Sequence, residues 1–329
     1  MSAVAPTLQA FFSDRLLRER EASPHTVASY RDTIRLLLTF ASQRAGKQPS
    51  ALAFEDLDAT VIGGFLDYLE RERGCGPRTR NARLAAIRSL FRYAGLRHPE
   101  HAALIERVLA IPRKRHDRPL LCFLNEQELG ALLGAPDRDC WTGRRDHTML
   151  LLAAQTGLRA SELTGLTCAD VHLQTGAHVH TIGKGRRARI TPLTKTTVAA
   201  LRAWLAERGG APPDPLFPTR TGNALTRDAL ARRLAKHTAH ASTSCPSLRQ
   251  KTVTPHTLRH TAAMRLLHAG IDTSVIALWL GHQQLRTTQT YIRADLSIKE
   301  QALARTTPLD SKPGRYRPPD TLLRFLEQL

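Results

Sequence analysis

The 329-residue chain carries 48 Lys+Arg against 29 Asp+Glu, with 42% apolar and 23% charged residues. That balance excludes wholesale disorder, and the length allows two domains, each with its own core. The net charge of +19 is far from ordinary, excludes a neutral surface, and points through its long-range field to a polyanionic partner.

The excess is spread along the chain. Residues 1–118 hold 20 basic and 13 acidic side chains (+7), and the remainder holds 28 and 16 (+12), so the charge is not a tail. Two basic bodies suit a protein that grips DNA from two sides. Of the basic residues 40 are arginine, the better phosphate clamp, although genome base composition produces the same bias. The five cysteines (Cys75, Cys122, Cys140, Cys168, Cys245) are scattered and fall at no metal-finger spacing, so no disulfide framework is implied. Charged residues come too early for a secretory signal, and no apolar run approaches the roughly 20 residues that span a bilayer. The expectation is a reduced, soluble, intracellular protein.

The first hundred residues read as helices only. Residues 7–20 place Leu8, Phe11, Phe12 and Leu16 at helical spacing. Ser23-Pro24 is an N-cap followed by proline at the first helical position, and opens a helix with Val27, Tyr30, Ile34, Leu37 and Leu38 on one stripe, stopping near Gly46. A helix over 58–73 buries Ile62, Phe65, Leu66 and Leu69. Another over 77–94 turns Leu84, Ile87, Leu90 and Phe91 inward and Arg78, Arg80, Arg83 and Arg88 outward, and a shorter one follows over 99–110. An arginine-rich helix face is usually a solvated face; beside an independent argument for nucleic acid it becomes a candidate for sequence-blind phosphate contacts. The proline-bracketed run Ile111 to Pro119, with Arg113, Lys114 and Arg115, reads as a basic linker.

Beyond it, helices mix with short strands. Asn125 caps a helix, and 145–155 is a strongly apolar one. Residues 178–182 and 189–193 read as strands joined by Gly183-Lys184-Gly185-Arg186-Arg187. Helices follow over 194–208, 226–240, 255–268, 273–280 and 287–292; 306–320 is a proline-rich spacer and 321–329 a short amphipathic end.

The chemistry concentrates in this half. Arg159 lies in Gly157-Leu158-Arg159-Ala160-Ser161-Glu162-Leu163, then come His256-Thr257-Leu258-Arg259, Leu280-Gly281-His282 and Tyr291. Arginines grip non-bridging phosphate oxygens bidentately, histidines handle protons, and a tyrosine hydroxyl can attack phosphorus. Ionising a tyrosine at neutral pH costs about 4 kcal/mol, so the site must supply nearby cations or a base. Arg159 and Arg259 meet the first need and His256 or His282 the second. A departing oxygen needs a proton, and Lys184 on the hairpin tip could give it. No carboxylate cluster for a metal sits among these residues. His256 and His260 share the spacing of a zinc-protease helix, but Thr257 stands where the general-base glutamate belongs. His178 and His180 read as surface-strand residues, His237 and His240 as exposed helix positions, and His260 as a packing or orienting residue. Tyr30, Tyr68 and Tyr93 read as core and Tyr316 lies in the spacer, which leaves Tyr291 as nucleophile by spacing.

The residues in this order resemble the tyrosine site-specific recombinase, or phage integrase, family. The resemblance covers 125–300 by motif and extends more weakly to 1–110. It implies a mainly helical α+β fold with a small antiparallel sheet, closing as a C-shaped clamp on duplex DNA. The division would be a helical core-binding, SAM-like domain over 1–110, a linker over 111–122, a catalytic domain over 123–305, and a spacer with a short helix over 306–329. By the same resemblance Tyr291 forms a 3′-phosphotyrosine, Arg159 and Arg259 hold the scissile phosphate, and Lys184 is the general acid. His256 is the acid/base, His282 a transition-state donor and Glu162 a support for Arg159. No metal or cofactor is implied. Implied partners are double-stranded DNA with paired half-sites, further protomers in a homo- or hetero-tetrameric synapse, and partner recombinases or directionality factors, with no membrane. The setting would be cytoplasmic, at the nucleoid, encoded by a bacterium, phage or mobile element. The helix that docks on a neighbouring protomer would be 297–305 or 321–329. A catalytically silent DNA-binding accessory protein and a DNA-relaxing, topoisomerase-like enzyme are the alternatives.

Overall fold

A computed structural model of the chain describes residues 4–116, 121–183, 188–282 and Thr288. Lys184, Tyr291, the helix expected over 287–292 (apart from Thr288) and the whole C-terminal segment lie outside the described residues. The chain divides between Pro119 and Leu120 into two units.

The first unit is helical. α1 (Val4–Ala10) runs directly into a more loosely wound π-helical stretch, Phe11–Glu19. α2 (Pro24–Ala45) begins where the Ser23 side chain accepts from the Thr26 amide, and ends at Gly46 in the left-handed region, φ 64°. α3 (Ala59–Arg71) is capped by Asp58, and α4 (Pro77–Gly95) and α5 (Ala102–Ala110) follow. The apolar stripes close on one another: Leu37, Ile62, Phe65, Leu66, Leu84, Ile87 and Phe91 are all buried in one core.

The arginines of α4 do not form the single outward face expected of them. Arg78 is exposed, but Arg83 and Arg88 are half-buried and Arg80 is only 6% exposed. The cause is the segment after α5, which folds back over this face. Arg80 Nη1 donates to the Pro112 carbonyl at 3.0 Å, and Arg88 donates to that of Ile111. Asn81 brackets Lys114, donating to its carbonyl at 2.8 Å and accepting from its amide at 3.0 Å. Arg80 is therefore a clamp for chain rather than for DNA. Arg113, Lys114 and Arg115 are exposed, with the Lys114 ammonium 2.6 Å from Glu70.

The second unit mixes helices with a small sheet. α6 (Glu126–Gly134) opens on a capping box in which Asn125 and Glu128 bond each other's backbone amides. α7 (Trp141–Thr156) and the short α8 (Ala160–Thr164) lead into an antiparallel sheet ordered β1 (Val171–His172), β2 (His178–Ile182), β3 (Ala188–Pro192). Val179 faces Thr191 and Thr181 faces Arg189 across the β2–β3 pair, and these four point inward. α9 (Lys195–Arg208), α10 (Arg227–Ser244), α11 (Pro255–His268) and α12 (Thr273–Leu280) complete it. Met149 and Leu152 of α7 meet Trp204, Leu230, Leu234 and Leu258 in the main core. Ala263 and Met264 of α11 meet Ile276 and Leu280 of α12 in a smaller one. Each fully buried large apolar side chain contributes about 1.5–3 kcal/mol, enough to fix the end of α12 against α11.

His237 departs from its expected exposed position. It is 6% exposed, and Nε2 donates to Asp146 Oδ2 at 2.9 Å. Asp146 also accepts from Arg233 and from the fully buried Arg145, whose Nη1 reaches the Pro218 carbonyl at 2.7 Å. Buried charges persist only when paired and bonded in this way, and this network ties α7 to α10. Among the described residues no cluster of His, Cys, Asp and Glu is arranged to hold a metal ion, and no helix is long and apolar enough to cross a membrane.

Candidate active site

Two helix C-termini, of α7 and α12, and two helix N-termini, of α8 and α11, converge here. α7 stops at Gly157, φ 64°, where a Cβ would stand 2.6 Å from Leu280 Cδ2 and 3.2 Å from Ala262 Cβ. Only glycine allows both that backbone and that approach, and the turn delivers Arg159 beside α11 and α12. α11 starts on Thr254, whose hydroxyl accepts from the Thr257 amide at 3.2 Å, with Pro255 at its first position. His256 and Arg259 are therefore one turn apart on the same helix, His256 exposed and Arg259 4% exposed. α12 ends at Gly281, φ 65°, and presents His282 immediately after.

Both arginines are anchored on helix-terminal carbonyls. Arg259 donates through Nη1 to Gly157 and through Nη2 to Leu280, each at 2.6 Å. Arg159 donates through Nη2 to Gly281 at 3.0 Å and through Nη1 to Glu162 Oε1 at 2.7 Å. The unpaired carbonyls at a helix C-terminus carry partial negative charge, so cations are favoured there. The guanidiniums are thus oriented before any ligand arrives. Arg159 remains 27% exposed, while the Glu162 side chain is 3% exposed.

Glu162 is the hub. Its Oε2 accepts from the Arg159 amide at 2.8 Å, which also caps α8, and both its oxygens accept from Arg189, at 3.0 and 2.7 Å. Burial alone would raise this carboxyl, yet the hydrogen bonds from Arg189 and Arg159 bring it down to about 2. It is a fixed anion at any working pH.

His282 and His260 stay neutral. Burial, and then the charges of Arg259, Arg159 and Arg189, press His282 down to about 4. His260 falls to about 4 through burial and the neighbouring His256 and Arg259. His282 Nδ1 lies 2.8 Å from the Thr288 hydroxyl. In the tautomer where Thr288 donates, Nε2 carries the proton and can itself donate to an oxyanion. Because the folded values lie below that of a free histidine, the unfolded chain takes up protons first as pH falls from about 6.5 towards 4. Stability is accordingly complete above that window and lost through it. Carbon-13 NMR of the histidine rings is expected to show two imidazoles that do not titrate between pH 8 and about 5.5, with denaturant stability already falling as pH drops below about 6.5.

The sequence candidates Arg159, Glu162, Arg259 and His282 come together, with His256 on the exposed first turn of α11. Lys184 and Tyr291 lie outside the described residues. Arg189, whose role the sequence reading missed, sits on β3 facing inward. Its signal was present in the alternation: Thr191 lies on the buried face, so Arg189, two residues earlier, shares it.

The sequence model of the phage integrase family matches residues 122–297, and that of the phage integrase N-terminal SAM-like domain matches 9–98. The chain belongs to the phage integrase family. As a tyrosine recombinase of that family it is an enzyme that breaks and rejoins DNA strands. A Sinorhizobium fredii protein named as integrase/recombinase y4rC is 53% identical over 328 residues, covering 100% of this chain and 99% of that protein. The tyrosine recombinase XerC of Pelobacter propionicus is 33% identical, covering 87% of this chain and 90% of its own. Among solved structures, the XerH site-specific recombinase in a post-cleavage complex with palindromic difH substrate has a TM-score of 0.70 at 23% identity, covering 87% of this chain and 81% of that one. The Tn1549 transposon integrase with circular intermediate DNA reaches 0.68 at 18%, covering 93% and 100%. The last two share the fold.

Proposed function

We propose that this phage integrase family member is a site-specific recombinase that cuts and rejoins duplex DNA through Tyr291, with the scissile phosphate held by Arg159 and Arg259. The observation that carries the reading is the pair of arginines locked on the carbonyl ends of α7 and α12 beside a neutral His282. The Tyr291 oxygen attacks phosphorus and gives its proton to His256. The bond to the 5′ oxygen breaks, and that oxygen takes a proton from Lys184. The product is a 3′-phosphotyrosine and a free 5′ hydroxyl, and attack by the 5′ hydroxyl of a partner strand reverses the step. In the transition state extra negative charge gathers on the equatorial oxygens. There two guanidiniums and an imidazole N–H act without reorganising, each such donor worth on the order of 10²–10³ in rate. One bond replaces another of the same kind, so strand exchange is close to isoenergetic.

A net charge of +19 distributed over both units favours double-stranded DNA as the partner, and XerH and the Tn1549 integrase were both captured on DNA. Paired half-sites and two pairs of protomers complete the synapse, and a DNA substrate puts the work in the cytoplasm, at the nucleoid. The test is a nicked suicide duplex built from DNA flanking the gene. The expected result is a protein–DNA adduct that survives denaturation, with the attached nucleotide mapped by mass spectrometry to the peptide containing Tyr291. An adduct on another residue, or tight binding with no adduct, overturns the assignment; the latter is what a silent accessory protein gives. Relaxation of any supercoiled plasmid irrespective of site marks a DNA-relaxing enzyme instead.

A further inference from the structure

We propose that Arg189 is a positioning residue for strand cleavage: it holds Glu162, the carboxylate that Arg159 also binds, and so fixes the guanidinium that grips the phosphate. The inference rests on the reading of Arg159 given above.

Arg189 is not placed to meet DNA itself. Its side chain is 11% exposed and points inward from β3, opposite Thr181. It meets the carboxylate of Glu162 as a fork, Nη1 to Oε1 at 3.0 Å and Nη2 to Oε2 at 2.7 Å. A planar fork fixes the carboxylate's rotation, which a single point charge cannot do. The same two oxygens receive Arg159, Oε1 from Nη1 and Oε2 from the backbone amide. Once the carboxylate plane is set, the Arg159 guanidinium is set with it.

The second anchor of Arg159 is touched as well. A Cβ on Gly281 would stand 2.9 Å from Arg189 Nη1 and 3.3 Å from its Cδ, so Arg189 packs directly on that glycine. The Gly281 carbonyl is the acceptor of Arg159 Nη2, and His282 is the next residue. Arg189 therefore abuts both supports of Arg159, Glu162 and Gly281. Its charge also matters. One carboxylate between two guanidiniums leaves a net single positive charge, so the cluster remains attractive to phosphate even though Glu162 is ionised.

A residue of this kind should alter the chemical step and leave DNA binding alone. The experiment measures single-turnover adduct formation on the suicide duplex at saturating DNA, so that only bound, folded protein is counted, alongside affinity by gel shift. Wild type, Arg189→Gln, Arg189→Lys, Glu162→Gln and the Arg189→Gln/Glu162→Gln double variant are compared. Arg189→Gln is expected to lose about 10–100-fold in cleavage rate with unchanged affinity, the loss typical of a slightly misplaced group. Arg189→Lys keeps the charge without the fork and is expected to recover little of the loss. The double variant is expected to be no slower than Glu162→Gln alone, because both act through one contact. A substrate with sulfur in the 5′ bridging position supplies a leaving group that needs no proton, and is expected not to restore the variant.

The proposal is overturned if Arg189→Gln cleaves at the wild-type rate, if the two single losses multiply, or if the sulfur substrate rescues it. Rescue would assign Arg189 to leaving-group protonation. Failure of the wild type to form any adduct sinks the reading of the site, not the role of Arg189 within it.

Discussion

Replacing Arg259 with alanine is expected to reduce strand cleavage by roughly 10³-fold or more and to lower thermal stability at the same time. The double effect follows from what the side chain does. Its two Nη atoms satisfy the carbonyls of Gly157 and Leu280 at a site where the residue is 4% exposed. Alanine leaves both acceptors buried without that partner, at about 1–3 kcal/mol each, and for a unit of this size even about 2 kcal/mol lowers the melting midpoint by roughly 4–8 °C. Lysine separates the two roles. It retains a cation near the phosphate but cannot span two carbonyls on different helices, so Arg259→Lys is expected to melt almost as low as alanine while cleaving faster. The check is calorimetry beside single-turnover cleavage. An Arg259→Ala chain that melts with the wild type refutes the carbonyl anchoring.

The features legible in the sequence were those written in local pattern. The helix expected over 255–268 is found at Pro255–His268, where Thr254 caps the start, Pro255 takes the first position and Ala269 ends it. The inward stripes of α3 and α4 were read from spacing, and the arginine and histidine motifs from residue types whose chemistry has few other uses. What escaped depended on distant chain. Arg80 looked outward on its own helix; it is buried because residues 111–114 fold onto it, some 30 residues later. His237 looked solvated, and its partner Asp146 lies 91 positions away. Arg189 is a subtler case: the strand over 189–193 was recognised but its faces were not assigned, so its inward charge was not singled out. Long-range polar pairing has no periodicity, and nothing in a single helix or strand announces it.

Removing Glu162 is expected to have the second largest effect, divided unequally between binding and catalysis. Its side chain is 3% exposed, and its oxygens accept four hydrogen bonds, from the Arg159 amide, from Arg159 Nη1 and twice from Arg189. Glu162→Ala leaves two guanidiniums facing each other without the anion between them. Breaking a buried ion pair from one side costs about 3–5 kcal/mol, chiefly because the remaining charge is uncompensated. A DNA phosphate carries the missing charge, so bound duplex is expected to raise the melting midpoint of Glu162→Ala by more than it raises that of the wild type. Affinity should therefore hold or rise while cleavage at saturation falls about 100-fold, since Arg159 is gripping the ground state without being aimed at the transition state. Glu162→Gln keeps the shape and half the acceptors and should lie between. The acid limb gives an independent sign. The carboxyl, at about 2 in the folded chain, contributes stability that is complete above the ordinary glutamate range and is lost as pH falls towards 2. Below about pH 4 the wild-type and Glu162→Gln stabilities should therefore converge. If the two curves run parallel down to pH 2, or if Glu162→Ala loses DNA affinity and cleavage in equal measure, Glu162 is not the anion that aims Arg159.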